Sequence, residues 1–283
     1  MIRINKITGG RFGNRILQYN SLMQISTLLN TSASCVTWEG HDFFTNLVTE
    51  QPSDNNQVIL TWDSVLGTDN LYETEADYYI DDPAYCLHNV FHKLTKVDPR
   101  KFFEIKEIYK KHLPSDKIHV GIHLRGGDIL GADGNHGREI HYPKYYIDSI
   151  SLVESQFENI HYHVCTDDFS FESFLETIEF LKDKRLSFTI GSDTDLFGDF
   201  STLSECDVLI ASSSTFVVCA GFIGKENKKI IHSQDWINKN LVHEPWHKKE
   251  DPDHIRKWQM TFDDFWIDVY NNNNKFYKAW RFV

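Results

Sequence analysis

Arg125 has the residue type and the setting to do chemistry. It stands within His119 to Asp128, HVGIHLRGGD, an apolar run that ends in Arg-Gly-Gly and a carboxylate. Val120, Ile122 and Leu124 alternate with smaller or polar neighbours as the two faces of a strand would. Gly126 and Gly127 then allow the sharp exit that other residues resist. Arg125 is therefore expected just past the carboxyl end of a strand. In open α/β sheets ligands bind at that edge, and a guanidinium there can grip a phosphate through two parallel hydrogen bonds. The plainer alternative is that Arg125 and Asp128 pair with each other and only hold the turn. A second chemical feature is the hydroxyl run Ser212-Ser213-Ser214-Thr215, which follows the apolar Val208 to Ala211 and precedes an apolar helix from Phe216 to Ile223. Such hydroxyls cap a helix and leave N–H groups pointing at the same sheet edge as Arg125. Together the two features can hold a diphosphate; alone, the serine run is an N-cap cluster.

A third feature lies at the N-terminus. Ile2 to Ile7 reads as a strand, Thr8 to Asn14 (TGGRFGN) as a glycine loop, and Ile16, Leu17, Tyr19, Leu22, Met23 and Ile25 as one face of a helix. A strand, a glycine loop and a helix can present backbone N–H groups to an anion. Against a dinucleotide site, the glycine spacing is not GxGxxG, and the next acidic residue, Glu39, is not at the end of a clear second strand. The alternative is a tight turn without a ligand.

The elements that must position these groups come in two halves. In the first, Cys35 to Trp38 and Val58 to Trp62 read as short strands, and the acidic Glu73 to Asp82 as a solvated loop. Asp98-Pro99 opens a helix carrying Phe102, Phe103, Ile105, Ile108 and Tyr109, closed by the cations Lys110, Lys111 and His112. Leu113-Pro114-Ser115 breaks that pattern and sets the domain boundary near 114. In the second half, strands at 119–124, 161–165, 186–190, 208–211 and 229–232 alternate with helices that start at Pro143, Phe169, Asp199 and Phe216. That alternation implies right-handed crossovers and a parallel sheet. Ile255, Trp258, Phe262, Phe265 and Val269 predict a helical tail over 251–283 that packs back on the body.

Composition narrows the function. A chain of 283 residues has room for two domains, and a hydrophobic fraction of 41% can fill two cores. A net charge of -12 argues against nucleic acid as a partner, so an anionic ligand has to be met by a local cluster of donors. No apolar run reaches the roughly 18 residues of a membrane span and no signal-peptide core is present, so a cytoplasmic protein without a transmembrane segment is expected. The five cysteines, Cys35, Cys86, Cys165, Cys206 and Cys219, lack CxxC spacing and read as reduced core residues.

Three segments in this order carry a resemblance to the superfamily of fucosyltransferases that use GDP-fucose. Gly9 to Asn14, GGRFGN, resembles the GGLGNQ opening of α-1,2-fucosyltransferases and the GRFGNQ opening of protein O-fucosyltransferases. His123 to Asp128, HLRGGD, resembles the HxRRxD motif of the former and the HLRxxxD form of the latter. Asp199 to Asp207, continuing to Ser213-Ser214-Thr215-Phe216, resembles their last motif. Cys165 to Asp168 is similar to their FSDD strand end, and Lys229 to Trp236 to the strand and tryptophan that follow. The resemblance spans residues 7 to 236.

It implies an α/β protein of GT-B architecture, two Rossmann-like domains facing a cleft, with an acceptor-side domain over 1–114 and a donor-binding domain over 115–250. It implies that Arg125 binds the donor diphosphate, Asp199 reads the guanine edge, and Ser213, Ser214 and Thr215 meet phosphate. His123 lies beside the base or ribose, and Gly13 and Asn14 close over the sugar-phosphate end. Three departures bear on linkage and sugar more than on nucleotide: Gly126 stands where α-1,2 enzymes carry a second arginine, Arg15 replaces a glutamine, and Phe216-Val217-Val218 replaces an aromatic-rich run.

The expected reaction is metal-independent, inverting transfer of fucose from GDP-fucose to a hydroxyl of an oligosaccharide or glycoconjugate, without a cofactor. Cleaving a sugar-phosphate bond builds negative charge on the leaving diphosphate, so the fixed cation Arg125 lowers the barrier. Asp128, Asp133, His136, Glu139 and His141 are candidates for the base that deprotonates the acceptor, with Asp128 expected in the catalytic set. Two rivals stand beside this reading. One is a metal-dependent UDP-sugar enzyme using Asp193-Thr194-Asp195 as a DxD pair. The other is a non-catalytic glycan-binding module whose tryptophans stack on sugars.

Overall fold

The computed structural model describes residues 1–7, 10–51, 57–60, 77–80, 97–127, 142–192, 194–226, 228–233, 265–270 and 276–282. The chain forms two compact units, Met1–Lys106 and Glu107–Val283. Among the described residues no helix is long and apolar enough to cross a membrane.

The first unit holds a four-stranded parallel sheet in the order β2-β1-β4-β3, with β1 at Ile2–Ile4, β2 at Ala33–Cys35, β3 at Gln57–Leu60 and β4 at Asp77–Ile80. Helix α1, Phe12–Leu28, connects β1 to β2, and the short α2 spans Gly40–Phe43. Its core is aromatic: Phe12 lies 5.9 Å from Trp38 and 5.8 Å from Phe43 between ring centroids, and Tyr19 lies 5.4 Å from Phe103. Trp38 is buried in this cluster, a core role rather than an exposed sugar platform.

Two expectations for this unit are corrected. The acidic stretch expected as a solvated loop contains β4, which pairs with both β1 and β3. Tyr78, Tyr79 and Ile80 are strand formers, and their preference outweighs the carboxylates that flank them. The helix expected from Asp98 is a single 3₁₀ turn, Pro99–Lys101, capped where Asp98 accepts the Arg100 N–H at 2.9 Å. Beyond it the chain pairs with the segment after α2: Ile105 bridges Phe44, Thr45 N–H donates to Glu104 O at 2.8 Å, and Lys106 N–H donates to Phe43 O at 2.9 Å. Phe102, Phe103 and Ile105 are buried as the spacing suggested, but tertiary pairing replaces the intrahelical bonds.

The second unit holds a seven-stranded sheet in the order β11-β10-β9-β8-β5-β6-β7. Its strands are β5 (Ile118–Leu124), β6 (Ile160–Thr166), β7 (Ser187–Ile190), β8 (Val208–Ile210), β9 (Lys229–Ser233), β10 (Phe265–Tyr270) and β11 (Phe276–Phe282). All neighbours run parallel except the β10–β11 pair. Helices α3 (Pro143–Glu154), α4 (Glu172–Asp183), α5 (Leu196–Glu205) and α6 (Thr215–Ile223) link them. The helical tail is a correction: its described part is strand, with Trp266 to Tyr270 in register beside Lys229 to Ser233. Phe265, Ile267 and Val269 alternate with period two, which suits a strand as well as the longer stripe suited a helix.

The interior strand β5 is buried on both faces. Val120, Ile122 and Leu124 pack in one core with Tyr146, Ile150, Ile178 and Leu181 from α3 and α4. On the other face Gly121 leaves room for α5, since a Cβ there would lie 2.6 Å from Leu203 Cδ2. Cys165, Cys206 and Cys219 are free and buried in this unit and Cys35 in the first; Cys86 lies outside the described residues. From β5 the chain moves outward to β6 and β7, then returns to place β8 on the opposite side of β5. That reversal is a topological switch point, and the residues after β5 and β8 lie at its carboxyl edge.

Ile122 is fully buried in the strand that ends just before Arg125, and cutting it back leaves a cavity. Ile122→Ala is expected to lower stability by about 2–5 kcal/mol, read as a lower urea midpoint for loss of far-UV circular dichroism. An unchanged midpoint would contradict the packing of β5.

Candidate active site

Arg125 and the serine run meet at the switch point between β5 and β8. Arg125 Nη1 donates to Ser214 Oγ at 3.2 Å, and the same oxygen accepts the Phe216 N–H at 3.3 Å as the N-cap of α6. Ser214 N–H donates to Ser212 O at 2.7 Å, which folds the run into a tight turn. Ser212, Ser213 and Ser214 are buried and Thr215, the first residue of α6, is half-buried. A cation and the positive end of a nine-residue helix thus share one hydroxyl.

His123, near the end of β5, lies 2.6 Å from Ser212 Oγ through Nδ1, and its ring sits 5.3 Å from that of Phe216. Burial drives its pKa down to about 3; Asp167 opposes that and Arg125 adds to it. The imidazole is therefore neutral at ordinary pH. Phe216 in turn lies 5.2 Å from Phe200 of α5, joining both helix starts to β5.

The turn after Arg125 is held by a residue that the sequence reading did not place in the site. Asp167 follows β6, which pairs with β5 up to Leu124 and Thr166, and its Oδ1 accepts both the Gly126 N–H at 2.9 Å and the Gly127 N–H at 3.1 Å. Burial pushes this carboxyl up, but the two amide bonds and the charge of Arg125 outweigh burial and hold it below the usual range. Gly126 also has a packing reason: a Cβ there would lie 2.7 Å from Phe171 Cγ, and Phe171 is buried. Asp128, expected in the catalytic set, lies outside the described residues, as do Asp133, His136, Glu139 and His141.

Asp199 sits in the first turn of α5, half-buried, and burial raises its carboxyl to about 6. The nearby Asp195 raises it further and Lys111 lowers it. Asp195 is itself the N-cap of α5, accepting the Gly198 N–H at 2.8 Å, which accounts for one carboxylate of the DxD pair. Asp193 lies outside the described residues, among which no group of His, Cys, Asp and Glu is arranged to hold a metal ion.

Gly13 and Asn14 belong to the first unit, at the start of α1. Gly10 has φ +68°, and a Cβ on it would lie 1.9 Å from Asn14 Nδ2, so glycine is required there both by conformation and by the amide lying over it. Arg15 pairs with Glu39 at 2.5 Å, so the carboxylate considered for a ribose is engaged by an arginine. Within the second unit, hydrogen bonds and ring contacts bring together His123, Arg125, Ser214 and the start of α5 that carries Asp199.

No protein-family model and no curated protein matches the sequence. Solved structures do match. POFUT1 in complex with GDP-fucose is 11% identical with a TM-score of 0.54, covering 79% of this chain and 94% of that one. POFUT1 in complex with GDP is 12% identical with a TM-score of 0.51, covering 77% and 92%. Fucosyltransferase NodZ from Bradyrhizobium aligns more loosely, at 11% identity and a TM-score of 0.47 over 79% and 92%. At these identities fold is what is shared. The chain is α/β with the fold of POFUT1.

Proposed function

We propose that the protein is an inverting glycosyltransferase that moves fucose from GDP-fucose to a hydroxyl of a glycan acceptor without a metal. One observation carries the reading: the Arg125 guanidinium is bonded to the residue that caps α6, at the switch point of a parallel sheet. Support comes from the shared fold, since the structures of that fold include POFUT1 bound to GDP-fucose.

The chemistry follows from where charge develops. As the bond between the sugar carbon and the phosphate oxygen breaks, negative charge builds on the diphosphate and positive charge on the ring carbon. A fixed guanidinium and helix N–H groups at the phosphate stabilise that state more than the bound donor. Arg125 takes this role, with Ser213, Ser214 and Thr215 meeting phosphate oxygens. The neutral His123 lies beside the base or ribose, where an uncharged ring costs less to bury than an imidazolium. Asp199 accepts the ring N–H and amine of guanine, and Gly13 and Asn14 close over the sugar-phosphate end. This assigns a GT-B arrangement, with the donor held mainly by the second unit. Attack on the opposite face of the sugar inverts the anomeric carbon, with Asp128 a candidate base.

Two outcomes test the reading. Arg125→Ala is expected to slow GDP release from GDP-fucose by on the order of a hundredfold or more, measured by coupled assay in EDTA. A rate within threefold of the parent, on roughly the scale of a lost peripheral contact, would remove Arg125 from its role. For pH, Asp199 must be ionised to accept from guanine, and its raised carboxyl loses that charge as pH falls through about 6. GDP affinity is therefore expected to be flat above about pH 7 and to weaken about tenfold per unit well below 6. Asp199→Asn should abolish that slope, and a slope that survives would point to another group.

A further inference from the structure

Helices α5 and α6 carry Asp199 and Ser214 at their starts, and their far ends are tied together by one buried side chain. Lys228, just before β9, is 1% exposed. Its Nζ donates to Leu203 O at 2.8 Å and Ser204 O at 2.7 Å in the last turn of α5, and to Ala220 O at 3.4 Å in the last turn of α6. The turn after α6 closes on the same point. Lys225 N–H donates to Ser204 O at 2.8 Å, and a Cβ on Gly224 would lie 1.9 Å from that oxygen.

Lysine is rarely buried to this degree, because an ammonium taken out of water loses its hydration. Here the compensation is local. Last-turn carbonyls lack intrahelical donors, and the negative ends of two helix dipoles favour a cation between them. An ammonium has three N–H groups, and this one meets three carbonyls. Burial pulls its pKa down to about 8; Glu205 and Asp207 oppose that, and Lys225 adds to it. The side chain is therefore charged at pH 7.

Stability is the plain consequence of this corner, and spacing is the consequence for the site. Asp199 lies four residues before Leu203, and Thr215 five before Ala220. At about 1.5 Å per residue each helix start is about 6–8 Å from the carbonyls that Lys228 holds. Over that lever a tilt of about 8° moves a start by about 1 Å, enough to spoil a hydrogen bond. Near the starts the helices meet through Phe200 and Phe216, whose rings lie 5.2 Å apart, so the pair is joined at both ends.

We infer that Lys228 is a positioning residue that sets the spacing between two halves of the nucleotide site, the base-reading carboxylate on α5 and the phosphate-binding start of α6. This rests on the nucleotide reading above and deepens it. A ligand that must reach both halves gains from their alignment, whereas a ligand that touches one half does not.

The test compares GDP with its two halves, guanosine and pyrophosphate. Binding is measured by calorimetry on the full chain at pH 7.0 in EDTA, at a temperature where far-UV circular dichroism shows each variant folded. Lys228→Met keeps the length of the side chain and removes its charge and donors. It is expected to weaken GDP binding about tenfold, part of the roughly hundredfold or more that joining two sites supplies, and to leave guanosine and pyrophosphate within about twofold of the parent. Gly224→Ala, which crowds Ser204 O at the same corner, is expected to show the same pattern and serves if Lys228→Met does not fold. Unchanged GDP affinity in a folded variant would overturn the inference and leave Lys228 as a structural staple, and so would an equal loss for all three ligands. If the parent itself binds no GDP, the nucleotide reading falls, and the role assigned to Lys228 falls with it.

Discussion

A guanidinium serves as a fixed charge only if the backbone beneath it cannot move. Asp167 supplies that constraint. One carboxylate oxygen takes the two N–H groups of the Gly126-Gly127 turn, linking the end of β5 to the end of β6 directly after the last paired residues. Glycine at 126 admits Phe171 against the turn, and no second arginine fits there without displacing that ring. On the other side of β5, the Ser214 hydroxyl both caps α6 and accepts from Arg125, so helix start and cation are placed by one atom. Breaking either tie would move the charge that the proposed chemistry needs.

The electrostatics are local rather than global. With a net charge of -12 the chain cannot attract an anion through its overall field, and in the proposed reading the attraction comes from Arg125 and the N–H groups that open α6. Two carboxylates near this edge are treated in opposite ways. Asp167 receives two amide hydrogen bonds and is held ionised, whereas Asp199, with burial dominant and Asp195 close by, is raised toward neutrality. His123 is kept neutral by burial and adds no competing cation. One carboxylate is thereby committed to structure, and the other is left able to exchange partners.

Much of the second unit was legible in its sequence because buried parallel strands leave compact apolar runs between helices. Val120 to Leu124 and Val208 to Ala211 announce two strands, and the Arg-Gly-Gly and Ser-Ser-Ser-Thr segments that follow each fall at the carboxyl edge. What the sequence could not supply was adjacency. Asp167 is acidic beside another aspartate, and its bonds to Gly126 and Gly127 follow only once β6 is known to lie next to β5. Gly191 gains meaning only when α5 brings the Asp199 carboxylate over it. Elsewhere two periods fit the same residues. Phe102, Phe103 and Ile105 suit a helix face or a packed irregular segment, and Phe265 and Val269 suit a helix or a strand. The strand Asp77–Ile80 is hidden in the sequence because its acidic neighbours also suit a solvent-exposed loop.

The most direct test of the account is calorimetric titration of the full chain with GDP and with UDP, first in EDTA and then with manganese. The account predicts that GDP binds in EDTA, that manganese leaves its affinity unchanged, and that UDP binds far more weakly in both conditions. UDP binding that appears only with manganese, with no binding of GDP, would contradict the role assigned to Arg125 and the start of α6 and the base assigned to Asp199.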